Sequence, residues 1–151
     1  MSWVARLVEV LQPLSIRADR LAGMALFAGL QWSDLEFAAD LLQETGIERG
    51  TRMTVQGRAS ARLSLIIQGE ALLSANARPL RVAGYGDAVG LAALLHGGGS
   101  PETTIALSPI RALAAGPEEF QELVGRATIR ERLIAAAPAS HPRLRRARRP
   151  S

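Results

Sequence analysis

Ten of the chain's 14 glycines fall between Gly46 and Gly99, and across that stretch the spacing of apolar residues shortens toward two. A helix does not tolerate glycine at that density, because each one in its interior costs about 1 kcal/mol relative to alanine. Short strands, by contrast, need a residue able to take positive φ at each reversal. The pattern predicts strands over Thr51–Val55, Arg62–Ile67, Glu70–Leu73, Pro79–Val82, Thr103–Leu107 and Ile110–Ala114. Six or more such strands with glycine at the turns point to a small antiparallel barrel or jelly roll.

Helical periodicity flanks this region on both sides. Residues 2–12 place Trp3, Leu7, Val10 and Leu11 on one face, with Ser2 as cap and Pro13 as stop. A second helical stretch runs from Ser15 to about Gly23. Ser33 with Glu36 forms a capping box ahead of the stripe Leu35, Ala38, Ala39 and Leu42, which runs up to Gly46. After the strands, Gly116-Pro117-Glu118-Glu119 opens a helix with proline at its first position and acids at the positive end of the dipole. Phe120, Leu123 and Val124 supply its buried face and Gly125 stops it. Thr128 with Glu131 is a second capping box, opening a helix through Ile129, Leu133 and Ile134 that fades at Pro138.

The formal charge is +4, and every base is arginine. Its location matters more than its size. Residues 1–137 hold 13 Arg against 14 acids, whereas residues 138–151 hold five Arg and no acid. The folded part therefore shows no basic face of the kind that reads a DNA sequence, and sequence-specific nucleic-acid binding is not expected. The tail has one leucine and cannot bury enough to fold; its arginines would give only salt-sensitive attraction to anionic polymers. Cysteine is absent, which removes disulfides, thiolate zinc sites and thiol nucleophiles. Two histidines, His96 and His141, do not make a metal or triad site, and His96 beside three glycines reads as a solvent-facing loop residue. Gly97-Gly98-Gly99 lacks the Lys and following Ser/Thr of a phosphate loop and reads as a flexible turn. Trp3 and Trp32, without an aromatic series, read as packing residues. No apolar run approaches the ~18 residues of a membrane span, and a cytoplasmic location is expected.

The residues themselves resemble a known family, the cyclic nucleotide-binding domain of catabolite-activator-type regulators, protein kinase A regulatory subunits and cyclic-nucleotide-gated channels. Phe27-Ala-Gly-Leu30 looks like the LFxGL that leads into the family's first helix. Gly50 to Leu73 is similar to the family's run of glycines and aliphatics, with Gly50, Gly57 and Gly69 at its strand turns and Met53 in place of its first aliphatic. Gly86-Asp87-Ala88-Val89-Gly90 resembles the GDxFG that opens the family's phosphate-binding cassette, and Ile110 to Val124 resembles its last strand and following helix. The resemblance covers about residues 26–136. It implies a cassette in which a short helix presents amides to a cyclic phosphate, an Arg supplies paired donors, and a Glu accepts from the ribose hydroxyl.

The chain departs from that pattern at two places. Leu91 stands where the resemblance puts the Glu, and either Ser100 or Glu102 stands where it puts the Arg, depending on whether the prolines are aligned. Losing a charge-assisted pair to an anion costs about 1.5–3 kcal/mol, roughly ten- to a hundredfold in affinity. The amides near Leu91, Ala92 and Ala93 would be left to receive an anion. By resemblance, the ligand-binding positions are Gly90, Leu91, Ala92, Ala93, Ser100 and Thr103, with no catalytic residue and no metal site.

The reading is thus a mainly β fold, an eight-stranded antiparallel jelly-roll barrel with N-terminal helices and two C-terminal helices. It divides into an N-terminal helical segment at 1–24, a cyclic nucleotide-binding-like domain at 25–137 and a disordered arginine-rich tail at 138–151. The function expected is that of a stand-alone, non-catalytic regulatory module resembling a cAMP or cGMP sensor, with weakened or lost nucleotide binding. It requires no cofactor; a cyclic nucleotide or another small anion is the candidate ligand. An alternative is a ligand-free scaffold that docks a protein partner, or a second copy, through the stripe Trp3, Leu7, Val10 and Leu11.

Overall fold

The computed structural model describes residues 14–137. The helix expected over residues 2–12 and the arginine-rich segment 138–151 lie outside the described residues. The chain begins with α1 (Leu14–Ala22), a 3-10 turn (Ala25–Phe27) and α2 (Trp32–Leu41). Eight strands follow: β1 (Gln43–Ile47), β2 (Arg52–Thr54), β3 (Leu63–Gln68), β4 (Ala71–Ala75), β5 (Arg78–Ala83), β6 (Ala88–Val89), β7 (Thr103–Ala106) and β8 (Ile110–Ala115). The short α3 (Leu91–His96) interrupts them between β6 and β7, and α4 (Pro117–Gly125) and α5 (Ala127–Ala136) close the described chain.

The strands form two four-stranded sheets, ordered β1-β8-β3-β6 and β2-β7-β4-β5, with every ladder antiparallel. The jelly-roll expectation holds in strand number and kind, but the sheets do not close into a barrel. The reason lies at the edges. β6 is two residues long and pairs only with β3, while β5 runs along the outer edge of its sheet with Arg78, Pro79 and Arg81 exposed. A proline and charged residues on an edge strand discourage further pairing.

Alternation along β3 and β8 makes three layers from two sheets. Leu63, Leu65, Leu113 and Ala115 point to the helices and join Leu21, Phe27, Phe120 and Leu133 in one core cluster. Ile66, Ile110 and Ala112 point the other way and meet Ala71, Leu73 and Ala106 of the second sheet. Central strands buried on both faces read as nearly continuous apolar runs, which is why LSLII shows no alternation in its sequence. α1 places Ala18 and Leu21 in the same helical cluster, and Arg17 donates to the Ala39 carbonyl oxygen at 3.2 Å, fastening it to the end of α2.

The six strands expected from spacing are present, each within two residues at either end. Two strands carry no such signal. β1 occupies the stretch that reads as the approach to a helix end at Gly46: the chain leaves the helix at Leu41, and Gln43–Ile47 pairs with β8 from Gln43↔Ala114 to Ile47↔Ile110. Its sequence is polar because only Ile47 is buried. Glu44 instead anchors it, accepting from Arg20 of α1 at 2.6 Å and from Arg111 of β8. Burial pushes the Glu44 carboxyl up, but hydrogen bonds and charge attraction from Arg20 and Arg111 outweigh that and hold it below the usual carboxylate range.

Neither capping box forms. α2 starts at Trp32 after Gln31, and α5 starts at Ala127 after Arg126, with no side-chain cap bond at either. Tertiary contacts set both starts. Arg126, at the α4–α5 junction, lies 3.4 Å from the buried Asp34 carboxylate, donates to the Ser33 carbonyl oxygen at 3.1 Å and sits 4.5 Å over the Phe37 ring. Trp32, expected to pack, is largely exposed at the start of α2.

Candidate functional site

The glycine at the centre of the family-like motif is fixed by its surroundings. Gly90 has φ of +88°, and a Cβ there would lie 2.5 Å from the Arg62 carbonyl oxygen and 2.6 Å from Ser60 Oγ. Only glycine satisfies both constraints. The chain can then turn from β6 directly into α3. Just upstream, Asp87 accepts from the Gly84 amide at 2.8 Å, closing the turn that carries Gly86.

The loop after α3 is open at Gly97 and Gly98, but its far end is fixed. A Cβ on Gly99 would lie 2.4 Å from the Gly57 backbone, so the two segments touch main chain to main chain. Gly57 N donates to the Ser100 carbonyl oxygen at 2.8 Å, and Ser100 N donates to that of Arg58 at 2.7 Å. His96 is exposed as expected, but it ends α3 instead of lying in a loop.

A cavity of about 730 Å³ opens between this segment and α5. Gly90, Leu91, Ala92, Ala93 and Ser100 line it, so five of the six expected positions come together. Thr103 is not among the lining residues; its hydroxyl accepts from the Gln56 amide at 2.9 Å, and the neighbouring Thr104 bonds Thr54 across the strands at 2.9 Å. Leu91 is 5% exposed and belongs both to the cavity wall and to the helical core. Ser100 Oγ donates to the Glu102 carbonyl oxygen at 2.7 Å and receives the Glu102 amide, and Thr54 Oγ1 donates to the same carbonyl at 3.0 Å. The hydroxyls at this end thus serve to shape the Pro101–Glu102 turn.

The rest of the wall comes from elements distant in sequence. Leu26 comes from the 3-10 turn, Leu80 and Arg81 from β5, and Arg132, Ala135 and Ala136 from α5. Arg81 is 3.6 Å from Asp87, and Arg132 donates to the Leu26 carbonyl oxygen at 3.3 Å, holding α5 over the opening. Among the described residues the charged members of the wall are two arginines, Arg81 and Arg132, and two acids, Asp87 and Glu102. Sequence reasoning finds neither Arg81 nor Arg132, since each reads as an ordinary charge on a strand edge or helix face. Only Asp87, inside the Gly86–Gly90 motif, has a local signal.

No family model matches the chain, and no curated protein matches it either. Solved structures do. The catabolite activator protein of Thermus thermophilus is similar with a TM-score of 0.66 and 27% identity, over 81% of this chain and 59% of that one. The regulatory domain of Toxoplasma gondii PKA, crystallised with cAMP, gives 0.71 and 16% over 81% and 48%. A cAMP-binding acyltransferase from Mycobacterium smegmatis gives 0.58 and 25% over 81% and 39%. The chain therefore has the fold of the cyclic nucleotide-binding domains, and it spans less than half the length of that Toxoplasma PKA domain and of the acyltransferase. Among the described residues no helix is long and apolar enough to cross a membrane.

Proposed function

We propose that this chain is a non-catalytic regulatory module of the cyclic-nucleotide-sensor type in which binding of cAMP and cGMP is weakened or lost. One observation carries the reading: a cavity lies between the Gly86–Ser100 segment and α5, in the fold of cAMP-binding domains, yet Leu91 lines it where the resemblance calls for a Glu, and Ser100 or Glu102 where it calls for an Arg. Leu91 offers the ribose no acceptor. Ser100 is a short neutral side chain whose hydroxyl is engaged by Glu102, so it supplies no paired donors to a phosphate. Glu102 would bring a carboxylate to the same wall, and like charges repel.

The response would run through α5. Ala135, Ala136 and Arg132 face the cavity, and the Arg132 bond to Leu26 couples the helix to the 3-10 turn. A ligand bridging the Gly90 segment and α5 would favour the closed arrangement by its differential contacts with that state. The closed face of α4 and α5 would then be what a protein partner reads.

Thermal melting of the full chain with increasing cAMP and cGMP tests the proposal. A ligand at 100 times its dissociation constant adds ~2.7 kcal/mol of stability, a shift of several degrees for a domain of this size. No shift is expected at micromolar nucleotide. A saturating shift at micromolar cAMP or cGMP would overturn the claim that binding is lost.

A further inference from the structure

We propose that the cavity between the Gly86–Ser100 segment and α5 binds an uncharged, predominantly apolar small molecule. The proposal rests on reading that cavity as the module's ligand site, and it names the ligand class the wall selects.

The wall is mostly hydrocarbon. Leu26, Leu80, Leu91, Ala92, Pro101 and Ala136 present apolar surface from five separate parts of the chain. Its volume of about 730 Å³ falls within the roughly 300–1,000 Å³ typical of small-molecule sites. Among the described residues the wall's charges balance, two arginines against two acids, and the Arg81–Asp87 pair at 3.6 Å already matches one cation with one anion. An anion entering this space would give up its water to meet two carboxylates along with the two arginines. A cation would meet the arginines on the same terms. Among the described residues neither meets an excess of opposite charge, and desolvating an ion without one is strongly unfavourable. A neutral ligand loses little water and gains contact with the apolar wall.

The hydrogen-bonding groups support the same class. Ser100 and Thr54 direct their hydroxyls at the Glu102 carbonyl oxygen, and Arg132 donates to Leu26. They shape the cavity and close it. Leu91, the residue in the place of the expected Glu, contributes a buried aliphatic surface continuous with the helical core.

Fluorescence titration of the full chain with N-phenyl-1-naphthylamine, an uncharged apolar probe, tests this. Saturable single-site binding is expected, with inorganic phosphate and cAMP unable to displace the probe. Ala136→Trp fills the cavity from the exposed end of α5, and Ala92→Glu places a carboxylate in its half-buried wall. Each is expected to weaken the probe at least about tenfold with an unchanged melting profile. Absence of saturable binding would overturn the apolar-ligand proposal and leave the lost-nucleotide reading standing, since that reading is judged by the cAMP and cGMP melts. Unchanged affinity in both variants would place the probe elsewhere and overturn the site. Displacement by cAMP would overturn the neutral-ligand class and, with a micromolar melt shift, the lost-nucleotide reading as well.

Discussion

Gly90 and Ala92 are two residues apart, and they answer to different constraints. Gly90 sits where its own φ and the Arg62 and Ser60 oxygens leave no room for a single added carbon. Ala92 faces the cavity, half-buried, on the first turn of α3. The backbone frame of this fold is intolerant of change, whereas the side chains that line its cavity can change without disturbing the frame. A chain can therefore keep the glycines this fold needs while the side chains along its cavity vary, because the two are held by different physics.

The sharpest way to break that comparison is to substitute its two members. Gly90→Ala should destabilise the protein by about 3 kcal/mol or more, from left-handed strain and overlap with main-chain oxygen. Ala92→Ser should change it by less than about 0.5 kcal/mol. Urea denaturation of both variants checks this, and equal effects would mean that frame and wall are not separable.

The junction that carries α5 gives a smaller effect. Arg126→Lys keeps the charge but loses the planar guanidinium that reaches Asp34, the Ser33 carbonyl and the Phe37 ring together. A loss of about 1–2 kcal/mol is expected in urea midpoints. Protection of α5 amides in hydrogen exchange should fall more than that of β3 and β8.

Glu44 gives the frame a pH dependence that the cavity does not share. Its folded pKa is depressed, so its contribution to stability is present above the unfolded value of about 4.3 and is lost as pH falls through the folded value. Wild-type stability should drop as pH is lowered below about 4.3, and Glu44→Gln should flatten that part of the profile while costing about 1–2 kcal/mol at neutral pH.

The smallest expected effect is a gain. The β4–β5 hairpin turns through Asn76 and Ala77, both at positive φ (53° and 62°), and Gln56 clamps Asn76 through two hydrogen bonds. Asn suits that conformation and Ala does not. Ala77→Gly should raise stability by about 0.5–1 kcal/mol, since the strain relieved exceeds the added unfolded-state entropy. A lower melting temperature would show that Ala77 is unstrained.

Legibility followed the range of the interaction. The strands between glycines and the apolar stripe Leu35, Ala38, Ala39 and Leu42 were readable because burial imprints a period on neighbouring residues. Gly57 and Gly69 were readable as turns for the same reason, and both have positive φ. β1 was not, because a polar edge strand held by a salt-bridged Glu44 carries no apolar period. The capping boxes misled because a local pattern does not register Arg126 reaching Asp34, Ser33 and Phe37 some ninety residues away.

The sequence by itself determined a β-rich middle with helices at both ends, the glycine positions at its turns, and the identities Leu91, Ser100 and Glu102 at the positions that the resemblance makes decisive. Those are local properties, written in the spacing and identity of neighbouring residues. Only the tertiary structure decided that Arg81, Asp87, Glu102 and Arg132 meet around one cavity and cancel, and that Ser100 turns its hydroxyl to Glu102. Charge balance inside a cavity is a sum over residues brought together from distant parts of the chain, and no local pattern records that sum.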